Sequence, residues 1–225
     1  MTGGRRPLIL VGAGGLGRET AELVRAINAQ GPGWDLLGFA DDDPALAATT
    51  VAGLPVLGSI ASVASQPVDL AVCTARPAVG CSRRPIVAGL GLTPDRFPTL
   101  IHPEASIAPS TEFGPGCIVF AGVVATASVV VGAHVVCMPQ VVLTHDDQLG
   151  DYATLASGVR LGGGVRVETE AYLGAGALVR EGVHIGPAAL VGMGAVVLND
   201  VPAGEVWAGV PARALTASIA EAVGA

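Results

Sequence analysis

The stretch LTHDDQLGDYAT, Leu143 to Thr154, places one His and three Asp in a region otherwise made of small and aliphatic residues. His is the side chain whose unperturbed pKa lies nearest neutrality, so His145 is suited to take a proton from an attacking nucleophile. A neighbouring carboxylate can hold the ring in one tautomer and stabilise the imidazolium that forms. Asp146 is the first choice for that role and Asp147 the second. Adjacent residues on a strand point to opposite faces, so Asp146 can serve only if His145 lies at a turn. The other histidines have weaker claims: His102 reads as a structural hydrogen-bonding residue, His134 and His184 as plain surface residues.

A second candidate lies near the N-terminus. Gly12-Ala13-Gly14-Gly15-Leu16-Gly17 satisfies G-x-G-x-x-G between an expected strand and helix, which would place a phosphate at a helix N-terminus. A dinucleotide cofactor fits poorly, because the first half offers three strands, half of the usual dinucleotide fold. The acidic run Asp41-Asp42-Asp43 also comes nearer thirty than twenty residues after the glycines. Cys73, Cys81, Cys117 and Cys137 stand singly, without metal-ligand spacing, and read as small hydrophobes in a reducing compartment. Nothing in the sequence calls for a metal.

These residues are carried by two halves with different periods. From about Arg5 to Phe97, PLILV, WDLLGFA and VDLAVCT read as buried strands, with GRETAELVRAINAQ and SIASVASQ as helices between them. That order is a small, three-stranded, Rossmann-like α/β sheet. From Ile101 to Val197 an apolar residue recurs every six positions without one insertion. Four residues after each stands a small or β-branched residue, as in Val123, Val141, Ala153 and Val165, and the clear exception is Asp147. Such a period describes short strands joined by tight turns, three to a coil, stacked as a parallel β-helix with coils about 4.8 Å apart. The expected domains are 1–98, 99–211 and a C-terminal helix or tail at 212–225.

Composition agrees with a repeat fold: 32 Gly and 16 Pro with only 4% aromatics give many turns around an aliphatic core. A net charge of -7 argues against nucleic acid or an anionic membrane as partner, since both select clustered Lys and Arg. Mean hydropathy is +0.60, yet Gly and Pro interrupt every apolar run, so no spanning helix is expected and the expected compartment is the cytoplasm.

LILVGAGGLGRE, LLGFADDDP, LIHPEASIAPS, THDDQLGDY and VWAGVPARAL together resemble the hexapeptide-repeat acyltransferases of sugars, the family of sialic acid O-acetyltransferases and UDP-amino-sugar N-acetyltransferases. The resemblance spans nearly the whole chain. It implies an N-terminal nucleotide-sugar-binding domain, a left-handed β-helix, and a homotrimer with active sites at subunit interfaces. It further implies acetyl-CoA as donor, a small-molecule acceptor, and His145 as general base beside Asp146.

On the donor side it points to Thr154, Ala175 and Met193. Gly163 would offer backbone groups to a pantetheine arm, and Arg213 or Arg166 would meet the CoA phosphates. On the acceptor side it places a sugar-nucleotide diphosphate at Gly14, Gly15 and Leu16 and a nucleoside near Asp41 and Asp42. Departures from the family cluster there: Leu16 replaces a His of the glycine loop, and Met138 an Asn seven residues before the catalytic His. Thr154 replaces a second His, and Cys73-Thr74-Ala75-Arg76-Pro77 stands where the family has Gly-Asn or Gly-Asp.

The leading expectation is therefore an acyl-CoA-dependent N- or O-acyltransferase acting on a sugar nucleotide or related metabolite. A non-catalytic trimeric scaffold or sugar-nucleotide sensor is the alternative, since a β-helix can outlast its chemistry. Nucleotidyl transfer would require a much larger first domain.

Overall fold

The computed structural model describes residues 5–31, 33–75 and 83–215. Arg6–Val11 (β1) is buried from Leu8 onward because an unbroken apolar run suits a strand covered on both faces. Gly15–Ala29 (α1) follows and buries Thr20, Ala21, Leu23 and Val24 along one stripe. Trp34–Ala40 (β2) and, after a short hairpin and the one-turn helix Ile60–Val63 (α2), Asp69–Val72 (β3) both pair with β1 in parallel. Arg83–Leu90 (α3) completes the domain, and the Pro and Gly in its RRPIVAGL hide it from a propensity reading.

From Leu100 the chain forms seventeen two-residue strands, Leu100–Ile101 through Val196–Val197, each ending on an inward hexad residue. Pairing partners such as Leu100, Ile118 and Val136 lie 18 residues apart, so three hexads close one coil and three parallel ladders result. Face 1 runs from Leu100–Ile101 to Val206–Ala208, face 2 from Ser106–Ile107 to Val196–Val197, and face 3 from Glu112–Phe113 to His184–Ile185. Inward residues such as Leu143, Leu155 and Leu173 fill the prism, with Ala153, Val159 and Ala171 buried beside the corners.

The corners have a fixed backbone form. The second turn residue has positive φ in every hexad from Gly116 to Gly194, whether it is Gly or, as at Ser128, His134, Asp146 and Tyr152, not. This left-handed position explains why Gly recurs at six-residue spacing.

The α/β domain sits on face 1, where Leu8, Leu10, Leu23 and Phe39 share a core with Leu100, Ile118 and Val136. Arg83, only 1% exposed, reaches the edge between faces 3 and 1. It donates to the carbonyls of Thr74, His134, Tyr152 and Ala153 and to Thr154 Oγ1 at 2.6 to 3.2 Å. The domain thereby also covers His134, which corrects the expectation that it is a surface residue. Its ring stacks on Tyr152 and meets the edge of Phe97, and burial next to the Arg83 cation pushes its pKa down to about 4.

One other expectation is narrowed, and one is met among the described residues. Within the expected C-terminal helix or tail at 212–225, Arg213–Ala214 is a short strand antiparallel to Val206–Ala208, and residues 216–225 lie outside the described residues. The thiols of Cys73 and Cys117 are pushed up to about 12 and about 11 by burial, and that of Cys137 higher still, so all three behave as small hydrophobes; Cys81 lies outside the described residues. No helix among the described residues is long and apolar enough to cross a membrane.

Candidate active site

His145 is the first turn residue of the corner 144–147, on the edge between faces 2 and 3. Asp146 follows with φ +64°, a conformation that Asp tolerates and that swings its side chain to the same side as the ring. Asp146 Oδ2 lies 2.9 Å from His145 Nδ1, and both side chains are about two-thirds exposed. With Nδ1–H donated to the carboxylate, Nε2 is left as the basic nitrogen. The ring rests on the next coil: a Cβ on Gly163 would stand 2.3 Å from His145 Nε2, so any side chain there would push the exposed ring from this seat.

The three Asp of this stretch divide by position. Asp146 faces the imidazole. Asp147, wholly buried, turns into the prism and accepts from Thr144 N at 2.7 Å and Val165 N at 2.9 Å. Asp151 Oδ1 accepts from Ala133 N at 2.7 Å and ties two coils on another edge. Burial raises the Asp147 pKa to about 6 against the pull of its two N–H donors.

Ala175 and Met193 occupy the edge between faces 1 and 2, on successive coils, and the Ala175 carbonyl accepts from Gly194 N. The amides of Ala175 and Met193 make no hydrogen bond among the described residues, and Met193 is 79% exposed. Face 2 separates this column from that of His145 and Gly163; of its outward residues Val124, Val142, Leu178 and Val196 are apolar, while Ser106 and Arg160 are polar. Met138 lies on the same edge as Ala175 but on the coil of His145, half-buried against the core of the α/β domain. Thr154 is on face 1 under that domain, its hydroxyl accepting from Arg83. Arg213 is exposed on its terminal strand and donates to Ala212 O. Arg166 lies on face 3 and is also exposed.

In the first domain Gly14, Gly15, Leu16 and Asp41 line one cavity of about 470 Å³ with Gly12, Cys73, Thr74 and Ala75. Gly14 and Gly15 have open space above them, whereas a Cβ at Gly17 would stand 2.0 Å from Gly12 O. The start of α1 opens into this cavity with no side-chain cap, which suits an anion. Asp41 spends both oxygens on Ala13 N and Asp43 N, so it shapes the loop. Asp42 does not line this cavity; it accepts from Ile60 N and borders two neighbouring hollows. His102 Nδ1 accepts from Glu104 N, as a structural residue would, and His184 pairs with Glu168 at the half-exposed surface.

Sequence reasoning missed Arg83 and the inward role of Asp147. The break in the small-residue rule marked Asp147; for Arg83, in RRPIVAGL, no spacing signal exists.

Residues 7–82 match the family described as PglD N-terminal domain. A comparison with curated proteins finds no match. Among solved structures, the acetyltransferase domain of PglB from Neisseria gonorrhoeae FA1090, in complex with acetyl coenzyme A, is 32% identical, with 94% of this chain and 100% of that chain covered and a TM-score of 0.83. A variant of perosamine N-acetyltransferase from Caulobacter crescentus, in complex with CoA and GDP-perosamine, is 29% identical over 96% of this chain and 99% of that one, with a TM-score of 0.83. WeeI from Acinetobacter baumannii AYE is 30% identical, covering 93% of this chain and 100% of its own, at a TM-score of 0.79.

Proposed function

The chain belongs to the hexapeptide-repeat sugar acetyltransferase family, and from that premise we propose that it moves an acetyl group from acetyl-CoA to an amino group of a sugar nucleotide, with His145 as general base. The observation that carries this reading is the 2.9 Å pair between His145 Nδ1 and Asp146 Oδ2 on an exposed corner, with the ring held over Gly163.

In this reading the acceptor nitrogen attacks the thioester carbonyl while His145 Nε2 takes its proton. Asp146 stabilises the imidazolium so formed. Collapse of the tetrahedral intermediate expels the CoA thiolate, which the imidazolium reprotonates. The unpaired amides of Ala175 and Met193 are suited to the pantetheine amides, and Gly163 leaves room beside the base. Arg213 and Arg166 are the cations proposed for the CoA phosphates. The cavity at Gly14, Gly15 and Leu16 is proposed for the nucleotide diphosphate, with Asp42 and the loop shaped by Asp41 nearest the nucleoside.

The left-handed coil and the homotrimer belong to the same proposal. The α/β domain occupies face 1, whereas His145 stands on the opposite edge of the three-sided prism, so an acceptor held in the glycine cavity of one chain would meet the His145 of a neighbouring chain. The apolar outward residues of face 2 are suited to that contact.

The test is to incubate the protein and His145→Ala with acetyl-CoA and a panel of UDP-, GDP- and dTDP-linked amino sugars, following free CoA and product mass. Transfer that His145→Ala lowers at least a hundred-fold is expected. A variant retaining full activity refutes the base; failure to bind CoA refutes the donor and favours a scaffold.

A further inference from the structure

The main-chain ladders of the prism are broken at few places: Ser128 N turns to Ser110 Oγ on one edge, His184 N to Asp200 Oδ1 near the last coil, and Thr144 N to Asp147 Oδ2 at the His145 corner. At every hexad from His102 to Gly192, the residue after the strand donates its N–H to a carbonyl 17 residues on or, near the end, 15, as Thr126 does to Leu143 and Met138 to Leu155. Among these described residues Thr144 alone does not. Its N–H turns to Asp147 Oδ2, while its hydroxyl takes over Leu161 O at 3.2 Å. The strand pair there keeps one registered couple, Val142 with Arg160, where neighbouring pairs on the face keep two. On the coil above, most corner residues equivalent to Val165 donate to the carbonyl three residues back, as Val159 does to Ala156. Val165 N donates to Asp147 Oδ1 instead. One buried carboxylate thus takes up two backbone N–H groups, in a slot that Val129 and Val165 fill with aliphatic side chains on the coils below and above.

A buried carboxylate that displaces regular structure costs stability, so its position beside an active-site corner needs a reason. The corner above, 162–165, holds both Val165, which Asp147 grips, and Gly163, on which the His145 ring rests. We propose that Asp147 is a positioning residue: by opening the ladder at Thr144 and clasping the next corner, it sets how the His145 ring seats over Gly163. This inference rests on the reading of His145 as the base.

Ionisation follows from the same geometry. The carboxylate accepts two N–H groups; once protonated, one of its oxygens becomes a donor facing an N–H, and the clasp loosens. The titratable groups facing Asp147 are His145 and Asp146 of its own corner. The adjoining corners 162–165 and 126–129 carry none, and the side chains around it inside the prism, Leu143, Leu149, Leu161 and Val167, are aliphatic. Burial sets this protonation near pH 6.

The experiment compares the full chain with Asp147→Val, which matches the slot's usual occupant, and Asp147→Asn, which keeps the shape without the charge. Three quantities are read: melting temperature, kcat and KM for acetyl-CoA with the best acceptor of the panel, and the pH titration of the His145 ring NMR signal, assigned by its loss in His145→Ala. Expected are an unchanged or higher melting temperature for Asp147→Val, and kcat lower by about ten- to a hundred-fold in both variants with KM within two-fold. The wild-type ring signal should show a second inflection near pH 6 that both variants lack. A lower melting temperature with unchanged kcat and an unchanged titration curve would overturn the proposal, leaving Asp147 a structural clasp. Full activity in His145→Ala would instead remove the base reading, a failure distinct from this one.

Discussion

Two histidines sit in turns of the same solenoid and end in opposite environments. His145 and His134 stand on different edges of the prism, each in a hexad corner, one the first turn residue and the other the left-handed second. His145 is exposed, aligned by Asp146 and undercut by Gly163. His134 is 4% exposed and stacked on Tyr152, and its Nδ1 has no hydrogen-bond partner among the described residues. The repeat offers each a turn position, though not the same one, and what separates a candidate base from a packing ring is which face the α/β domain covers. Catalytic potential in a solenoid is thus assigned by what is left open.

Exchanging the two roles breaks the comparison most directly. His145→Ala should lower kcat by a factor of about 10² to 10⁴, whereas His134→Asn, whose side chain tolerates the left-handed turn, should keep kcat within a few-fold. Steady-state kinetics on both variants check this, and equal losses would show that His134 belongs to the site. Removing the cover is the next step: Arg83→Ala leaves five carbonyl and hydroxyl acceptors under the domain without their cation. It should destabilise the chain by roughly 3 kcal/mol in denaturant melts, by analogy with other buried hydrogen-bonded charges.

Gly163→Ala sharpens the other half, since its methyl would collide with the His145 ring. A fall in kcat of about ten-fold or more with the melting temperature held within a few degrees is expected. The smallest effect is in pH. His134 is held neutral, with its folded pKa depressed by burial to about 4 from the ordinary 6.5, so its contribution is complete above pH 6.5 and is lost as pH falls towards 4. Asp147, raised to about 6, runs the opposite way: its neutral form is favoured, and stability falls as pH rises from 4 through 6. Melts of wild type, His134→Asn and Asp147→Asn between pH 4 and 8 should separate the two slopes, each worth up to roughly 3 kcal/mol.

Much of this was legible beforehand because period is a one-dimensional property. Ile101 to Val197 announced the coil, and the strands close on those residues. The order of β1, α1, β2, α2 and β3 followed from apolar runs and breakers. The pairing of His145 with Asp146 was conditional on a turn, and the turn is there. Reading went astray where a second domain intervenes. His134 has an outward hexad position, yet Arg83 and Phe97 arrive from 51 and 37 residues earlier to cover it. Thr154, placed by resemblance on the donor side, is claimed by the same guanidinium. Asp147 was visible as an exception to the rule, but a broken rule does not say whether a carboxylate faces the base or the core.

By itself the sequence determined the local quantities: coil period, inward register, the left-handed corner positions marked by Gly, and the adjacency of a base to a carboxylate. These depend on residues within a few positions of each other and on backbone sterics. Only the tertiary structure decided which prism face is covered, which histidine stays open, and that Asp147 spans two coils. Those outcomes depend on contacts between residues 17 to 71 positions apart, whose strength comes from burial and desolvation that no local pattern encodes.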